Sequence, residues 1–150
     1  MTDVMGAMKA QAGQGPKMNS LQIIQKSAEH ELPPGMNMQK FLSGVAHMIK
    51  SPHTKLVQIG NSVFLVQLKA QGTVEVHTFS AEQSPKALVE NYKGLAKLLK
   101  NEGIKHATSY SPRPEYARIA QMTGLPVKIS QTQKMIAGKM VPVQQFDMDL

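Results

Sequence analysis

A strand that leads into a long helix, over residues 73–103, constrains the fold more than any other feature of the sequence. Thr73–Ser80 has the two-residue period of a strand. Ser84 and Pro85 open the helix and Gly103 closes it, because these residue types favour helix starts and ends. A helix N-terminus that follows a strand presents free backbone N–H groups, a common geometry for phosphate binding. This connection contains no glycine, although phosphate-binding loops need glycine for close backbone approach.

Length and composition indicate one α/β domain rather than a disordered or membrane-spanning chain. The chain has 150 residues, 41% of them apolar, which is too many for a disordered protein. No apolar run approaches the roughly 20 residues needed to span a bilayer. The start, Met1–Val4, lacks the basic and apolar stretches of a signal peptide, so we expect none. Because cysteine is absent, disulfide and thiolate chemistry are excluded.

The net charge of +7 raises the possibility of a nucleic-acid-binding module. The charge is spread along the chain, and the few aromatic residues are not interleaved with arginine as in a base-stacking platform. The predicted long helix mixes the two signs of charge, with four lysines and two glutamates: Lys86, Lys93, Lys97, Lys100, Glu90 and Glu102. The pattern therefore favours a solvated basic surface, and nucleic-acid binding stays an alternative.

The chain divides into a flexible N-terminal arm, residues 1–18, and a domain, residues 19–150. The arm is predicted from its glycines and its proline, which stand among alanine, glutamine and lysine. In the domain, the hydrophobic period switches between helix and strand values. The predicted elements are helices at 20–30, 37–49, 84–103 and 112–122, and strands at 55–59, 63–69, 73–80, 104–110, 127–136 and 139–148.

This order of elements, together with one short segment, resembles the GNAT family of N-acetyltransferases. The segment is Tyr116–Leu125, which is similar to the last short helix of the family and ends with glycine before a large apolar residue. The resemblance covers the domain and implies an α/β (α+β) fold with a mixed, mostly antiparallel sheet flanked by helices. For an active member it also implies acetyl-CoA as the cofactor and a free amine as the acceptor.

The cofactor loop departs from the family pattern. Members carry Gln/Arg-x-x-Gly-x-Gly/Ala after the strand that precedes the long helix, and its backbone amides hold the coenzyme pyrophosphate. In this chain Gln83 matches, but Lys86 and Leu88 stand where the small residues belong, and Pro85 removes a donor N–H. If the cofactor were bound, the resemblance would assign it to Gln83, Ser84, Lys86 and Ala87.

The catalytic residues are also incomplete. The family commonly places a tyrosine four residues before the final glycine, as the acid that protonates the leaving thiolate. That position is Ala120 here, and Tyr116 lies one helical turn earlier. A general base would be a carboxylate or histidine on the strand that faces the substrate. The candidates are Glu75 and His77, which strand alternation places on one face, with Glu82 behind them.

These departures favour a non-catalytic protein. GNAT-like folds without the cofactor loop occur among small internal or neck-associated virion proteins of short-tailed phages, and this chain resembles them. We therefore predict a structural component of a larger assembly, located in a virion or the host cytoplasm. It would bind other proteins through its arm and surface, without a cofactor or metal. An acetyl-CoA-dependent N-acetyltransferase and a nucleic-acid-binding module are the alternatives.

Overall fold

The computed structural model describes residues 18–29, 37–136 and 138–150, with only the backbone of Ile136. The predicted arm therefore lies outside the described residues except for Met18. The helices are α1 (Ser20–Ala28), α2 (Met38–Ile49), α3 (Pro85–Asn101) and α4 (Glu115–Met122). The strands are β1 (Thr54–Ile59), β2 (Ser62–Ala70), β3 (Thr73–Ser80), β4 (His106–Ser111), β5 (Val127–Ile136) and β6 (Lys139–Asp149).

The six strands form one sheet in the order β1-β2-β3-β4-β6-β5. Neighbouring strands are antiparallel, except that β3 and β4 run parallel because α3 connects them as a crossover. The predicted fold class is thus confirmed: the sheet is mixed and mostly antiparallel, and helices flank it.

Side-chain caps fix the helix starts where the sequence predicts them. The side chains of Asn19, Asn37 and Ser84 each accept a hydrogen bond from the backbone N–H three residues later. Two predicted starts are displaced. Strand β4 begins two residues late, because the N–H groups of Lys105 and His106 both donate to the Gly72 carbonyl. Helix α4 begins after a turn that the Ser111 hydroxyl stabilises, rather than at residue 112.

The sheet is covered by helices on both faces. Phe64 and Leu65 of β2 point to opposite faces and both are fully buried, as the continuous apolar run predicts. The core under α3 comprises Val57, Ile59, Phe64, Val66, Val74, Val76, Leu95, Leu99 and Ala107. The core under α1 and α2 comprises Ile23, Ile24, Val45, Val63 and Leu65.

Met18 packs against the core under α1 and α2. Its backbone N–H donates to Asn61 Oδ1 at 3.1 Å, and its carbonyl accepts from Gln58 Nε2 at 2.7 Å. Met18 therefore lies beside the turn between β1 and β2. The division at residue 18 between arm and domain stays a prediction. In the described ranges, no helix has the length and apolar character to cross a membrane.

Candidate functional site

A cleft opens where the two parallel strands part. The paired residues of β3 and β4 run only from Thr73 and His106 to Val76 and Ser109, although β3 continues to Ser80. Beyond the last pair, the strands diverge beneath α3 and α4. The gap has a volume of about 160 Å³. A small apolar group could enter the fold at this point.

Aromatic and aliphatic residues line the cleft. All three tyrosines of the chain, Tyr92, Tyr110 and Tyr116, contribute to its wall. The hydroxyl of Tyr92 donates to Thr78 Oγ1 at 2.8 Å, which fixes that ring across the mouth of the cleft. Ala120, at the position where the resemblance predicts a proton-donating tyrosine, also lines the cleft. The wall further includes Val76, Leu95, Leu99, Ala107, Phe146 and Met148.

The N-terminus of α3, the expected position of a bound pyrophosphate, is closed by its own residues. The Ser84 hydroxyl accepts from the Ala87 N–H at 3.1 Å, and the Ser84 carbonyl accepts from the Leu88 N–H. Pro85, at the first helical position, has no N–H to offer. Within the described residues, Lys86 is the first-turn residue whose N–H is not used in these bonds. Within the first turn of α3, an anion would find the Lys86 amide rather than a cradle of several amides.

Glu82 holds the loop before α3 against the turn between β1 and β2. One oxygen of its carboxylate, Oε2, accepts from the Asn61 N–H at 3.0 Å and from Asn91 Nδ2 at 2.5 Å. The Asn91 amide is buried and also donates to Ser62 Oγ at 2.8 Å. Gly60 makes room for this carboxylate, because a Cβ there would lie 2.7 Å from Oε2. The Glu82 carboxylate therefore holds the loop through hydrogen bonds within the domain.

Glu75 and His77 meet as the strand alternation predicts. His77 Nε2 lies 3.0 Å from Glu75 Oε2, and Lys134 Nζ of β5 lies 3.4 Å from the same oxygen. The hydrogen bond from His77 lowers the pKa of Glu75 to about 2, and the nearby charge of Lys134 adds to this effect against the opposing effect of burial. A carboxylate with so low a pKa accepts a proton poorly near neutral pH.

Lys134 also joins Glu75 to the wall of the cleft. Its ammonium lies 3.7 Å from the centroid of the Tyr110 ring, a close cation–π contact. Burial, and then the negative charge of Glu75, raise the pKa of Tyr110 above its ordinary value. The hydroxyl of Tyr110 is therefore a weaker acid than a free tyrosine. This arrangement favours a fixed ion pair over proton transfer.

A second ionic group lies on the face of the sheet that carries Glu75. His106 Nδ1 is 3.0 Å from Asp149 Oδ1, and Nε2 is 3.3 Å from Asp147 Oδ1. The hydrogen bond to Asp149 leads the interactions that raise the pKa of His106. Both ring nitrogens thus face carboxylates, which favours the imidazolium. In the described part of the chain, no three metal-ligating side chains converge on one point.

The structure separates the predicted site residues into two places. Glu75 and His77 lie together on the face of the sheet that Leu65 shares, opposite the core under α3. The four residues assigned to the cofactor lie at the start of α3: Gln83, Ser84, Lys86 and Ala87. Neither these four residues nor Glu75 and His77 line the cleft. Sequence reasoning missed Asn91. Its amide lies on the buried side of α3, and a buried amide needs a hydrogen-bond partner, which is the feature that could have identified it.

Sequence comparison gives no relative: no protein-family model and no curated protein matches this chain. Structure comparison gives many. A probable acetyltransferase of the GNAT family from Chromobacterium violaceum superposes with a TM-score of 0.62 at 13% identity, covering 92% of this chain and 94% of the other.

The chain has a GNAT-like fold. An IAA acetyltransferase from Bacillus cereus matches with a TM-score of 0.57 at 11% identity, covering 88% of this chain and 93% of that one. The ribosomal-protein-S18-alanine N-acetyltransferase from Escherichia coli matches with a TM-score of 0.55 at 8% identity, covering 89% and 91%. At these identities the likeness concerns the fold, and the low values are consistent with a degenerate form of it. The chemistry must be argued from this chain's own residues.

The Glu75 ion pair should stabilise the fold in a pH-dependent manner. A pKa lowered from 4.5 to about 2 contributes stability above pH 4.5, which is lost as the pH falls toward 2. We expect Glu75→Gln to lower the free energy of unfolding by about 1–2 kcal/mol at pH 7, after allowance for solvent screening. Urea unfolding between pH 2 and 7 measures this difference, which should vanish toward pH 2. The matched control is Glu90→Gln, which removes an exposed ion pair. A loss that does not vary with pH would contradict the assignment.

A side chain at Gly60 should destabilise the fold more than one at other glycines of positive φ. Its φ of +57° disfavours other residues, and an added Cβ would displace the Glu82 carboxylate. Gly124 is the matched control, because its φ is +71° but a Cβ there would meet nothing within 4 Å. We expect Gly124→Ala to cost about 1–2 kcal/mol from backbone strain. Gly60→Ala should cost about 1–2 kcal/mol more, from the lost hydrogen bonds of Glu82. Equal losses in chemical denaturation would show that Glu82 does not hold the loop.

Proposed function

We propose that this chain is a non-catalytic protein with an acetyltransferase-like fold, which serves as a structural or interaction component of a larger assembly. The observation that carries the proposal is the closed N-terminus of α3. There, Ser84 and Pro85 leave few donors, and Glu82 places an acid in the adjoining loop.

Binding of a coenzyme diphosphate would be costly at this position. The Ala87 N–H would have to leave Ser84, and Pro85 can never donate. Each charge-assisted hydrogen bond that is not made forfeits about 1.5–3 kcal/mol. The Glu82 carboxylate would repel the diphosphate, and moving it away would leave the Asn91 amide without this acceptor. These losses would oppose the binding of a diphosphate at the first turn of α3.

The catalytic groups are equally unsuited. Glu75 has a pKa of about 2, far from the neutral value that suits a general base. Ala120 occupies the cleft position at which the family places a proton-donating tyrosine. A fold that has lost both its cofactor donors and its acid is better suited to binding than to turnover.

The proposed assembly is a phage particle, in which this chain would be an internal, neck or connector-associated component. The resemblance of the sequence to such proteins motivates this step. Contacts would come from the arm before Met18 and from the hairpin of β5 and β6. Met135 and Met140 form a facing pair near the end of that hairpin and are 60% and 55% exposed. Exposed methionines adapt readily to a partner surface.

Sedimentation of the chain from its native source tests this assignment. We expect it in a large particle at a fixed copy number, and the Glu75→Gln variant should enter the particle equally well because the proposed role needs no base. A variant that lacks residues 1–17 should remain in the light fractions. Recovery of the full-length chain only as a free monomer would contradict the proposal.

The alternative function is that of an acetyl-CoA-dependent N-acetyltransferase with Glu75 or His77 as base. The cleft between β3 and β4 is the observation in its favour, since it lies close to the Glu75 and Lys134 pair through Tyr110. This alternative requires that a coenzyme bind without the closed amides of α3.

We expect no acetyl transfer from this chain. Incubation with acetyl-CoA and a panel of polyamines and amino-terminal peptides should release no coenzyme thiol above the uncatalysed rate. A thiol-reactive dye measures the release without a signal from protein thiols, because the chain contains no cysteine. A known N-acetyltransferase supplies the positive control. Release that Glu75→Gln or His77→Ala abolishes, with folding intact, would establish the alternative.

A further inference from the structure

The exposed side of α3 carries a row of lysines that neither the cleft nor the closed loop uses. The side chains that follow a spacing of four and three residues are exposed and lie along one stripe of the helix. They are Lys86, Glu90, Lys93, Lys97, Lys100 and Asn101. From Lys86 to Lys100 the row extends about 21 Å along the helix axis, at about 1.5 Å per residue.

Most of this charge is not neutralised within the fold. Lys93 Nζ lies 3.4 Å from Glu90 Oε2 in an exposed pair. In the described residues, Lys86, Lys97 and Lys100 lie within 4.0 Å of no carboxylate. Lysines spaced three and four residues apart repel one another by roughly 0.2–0.5 kcal/mol per pair. A polyanion laid along the row would relieve this repulsion.

The chemistry of the row fits phosphate better than protein. Stable protein interfaces have an apolar centre with aromatic or arginine anchors, and lysine is depleted there. Between Lys86 and Asn101, the exposed stripe of α3 contains no apolar or aromatic side chain. Contacts to nucleic-acid backbones, in contrast, are made largely by lysine and arginine. The net charge of +7 adds a long-range attraction to any polyanion.

We propose that the lysine row of α3, comprising Lys86, Lys93, Lys97 and Lys100, binds the phosphate backbone of nucleic acid without reading its sequence. The row spans the axial rise of about six base pairs, at about 3.4 Å each. Over this length, three or four long lysine side chains can contact phosphates. Lysine binds phosphate as a flexible point charge, so a row of lysines suits the nucleic-acid backbone better than one base sequence.

Fluorescence anisotropy with two duplex DNAs of about 24 base pairs and unrelated sequence tests the proposal. We expect equal affinities for the two sequences. With three to four phosphate contacts, log K should fall against log salt with a slope of about −2.7 to −3.6. The test variant is Lys86→Gln with Lys97→Gln and Lys100→Gln. Its slope should shrink by about 2.7, because each lysine lost removes about 0.9. Its affinity at about 50 mM salt should fall at least about tenfold.

A matched control separates the row from the overall charge. Lys26→Gln with Lys40→Gln and Lys55→Gln removes the same three charges from exposed positions on other elements. We expect this variant to retain the wild-type slope and most of the affinity. Equal losses in the two variants, or no binding by the wild type at low salt, would overturn the proposal.

Two further measurements complete the test. Thermal unfolding should show the row variant at least as stable as the wild type, since it relieves repulsion and keeps the Ser84 cap. Competition with poly-glutamate distinguishes phosphate from carboxylate partners. We expect poly-glutamate to displace DNA only at much higher charge concentration, and displacement at equal charge would overturn the choice of nucleic acid.

Discussion

The hydrogen bonds from Asn61 and Asn91 to the carboxylate of Glu82 hold the loop that precedes α3 in place. They fasten the loop after β3 to the turn between β1 and β2, and so set where α3 begins. Gly60 is required because the carboxylate occupies the space that a side chain would fill. Ser84 then closes the first turn of α3 on itself. A loop that is satisfied internally has little to offer an anionic ligand.

The fold of a GNAT-like domain and its chemistry depend on different residues. Packing on both faces of β2 and the crossover through α3 specify the sheet, and these need only apolar periodicity and caps. The pairing of β3 and β4 ends before β3 does, and the cleft that follows is part of the fold whether or not a cofactor uses it. Activity would depend on a few further groups: free amides at α3, a base near neutral pKa and an acid at position 120. These groups can change without loss of the fold.

Much of this organisation can be predicted from sequence, because the controlling signals are local. Asn37, Ser84 and Pro85 mark helix starts, and the apolar run in β2 indicates burial on both faces. The alternation in β3 correctly brings Glu75 to His77. The third member of that group, Lys134, is 59 residues from Glu75 in sequence and joins it only through the folded hairpin of β5 and β6. Long-range contacts of this kind carry no local signal.

The loop between β3 and α3 could also be predicted only in part from the sequence. Missing glycines are visible in the sequence, and they predict a weak phosphate site. That Glu82 turns inward to Asn91, rather than outward to solvent, depends on where the β1–β2 turn lies. The buried amide of Asn91 was the available clue, since such a group needs a partner.

Calorimetric titration with acetyl-CoA tests most directly whether the start of α3 is closed. We expect no saturable heat up to about 1 mM ligand, a range in which a binding free energy of about −4 kcal/mol would be detected. An active N-acetyltransferase titrated in parallel should give a normal isotherm. A saturable isotherm for this chain with a dissociation constant in the micromolar range would contradict the central claim.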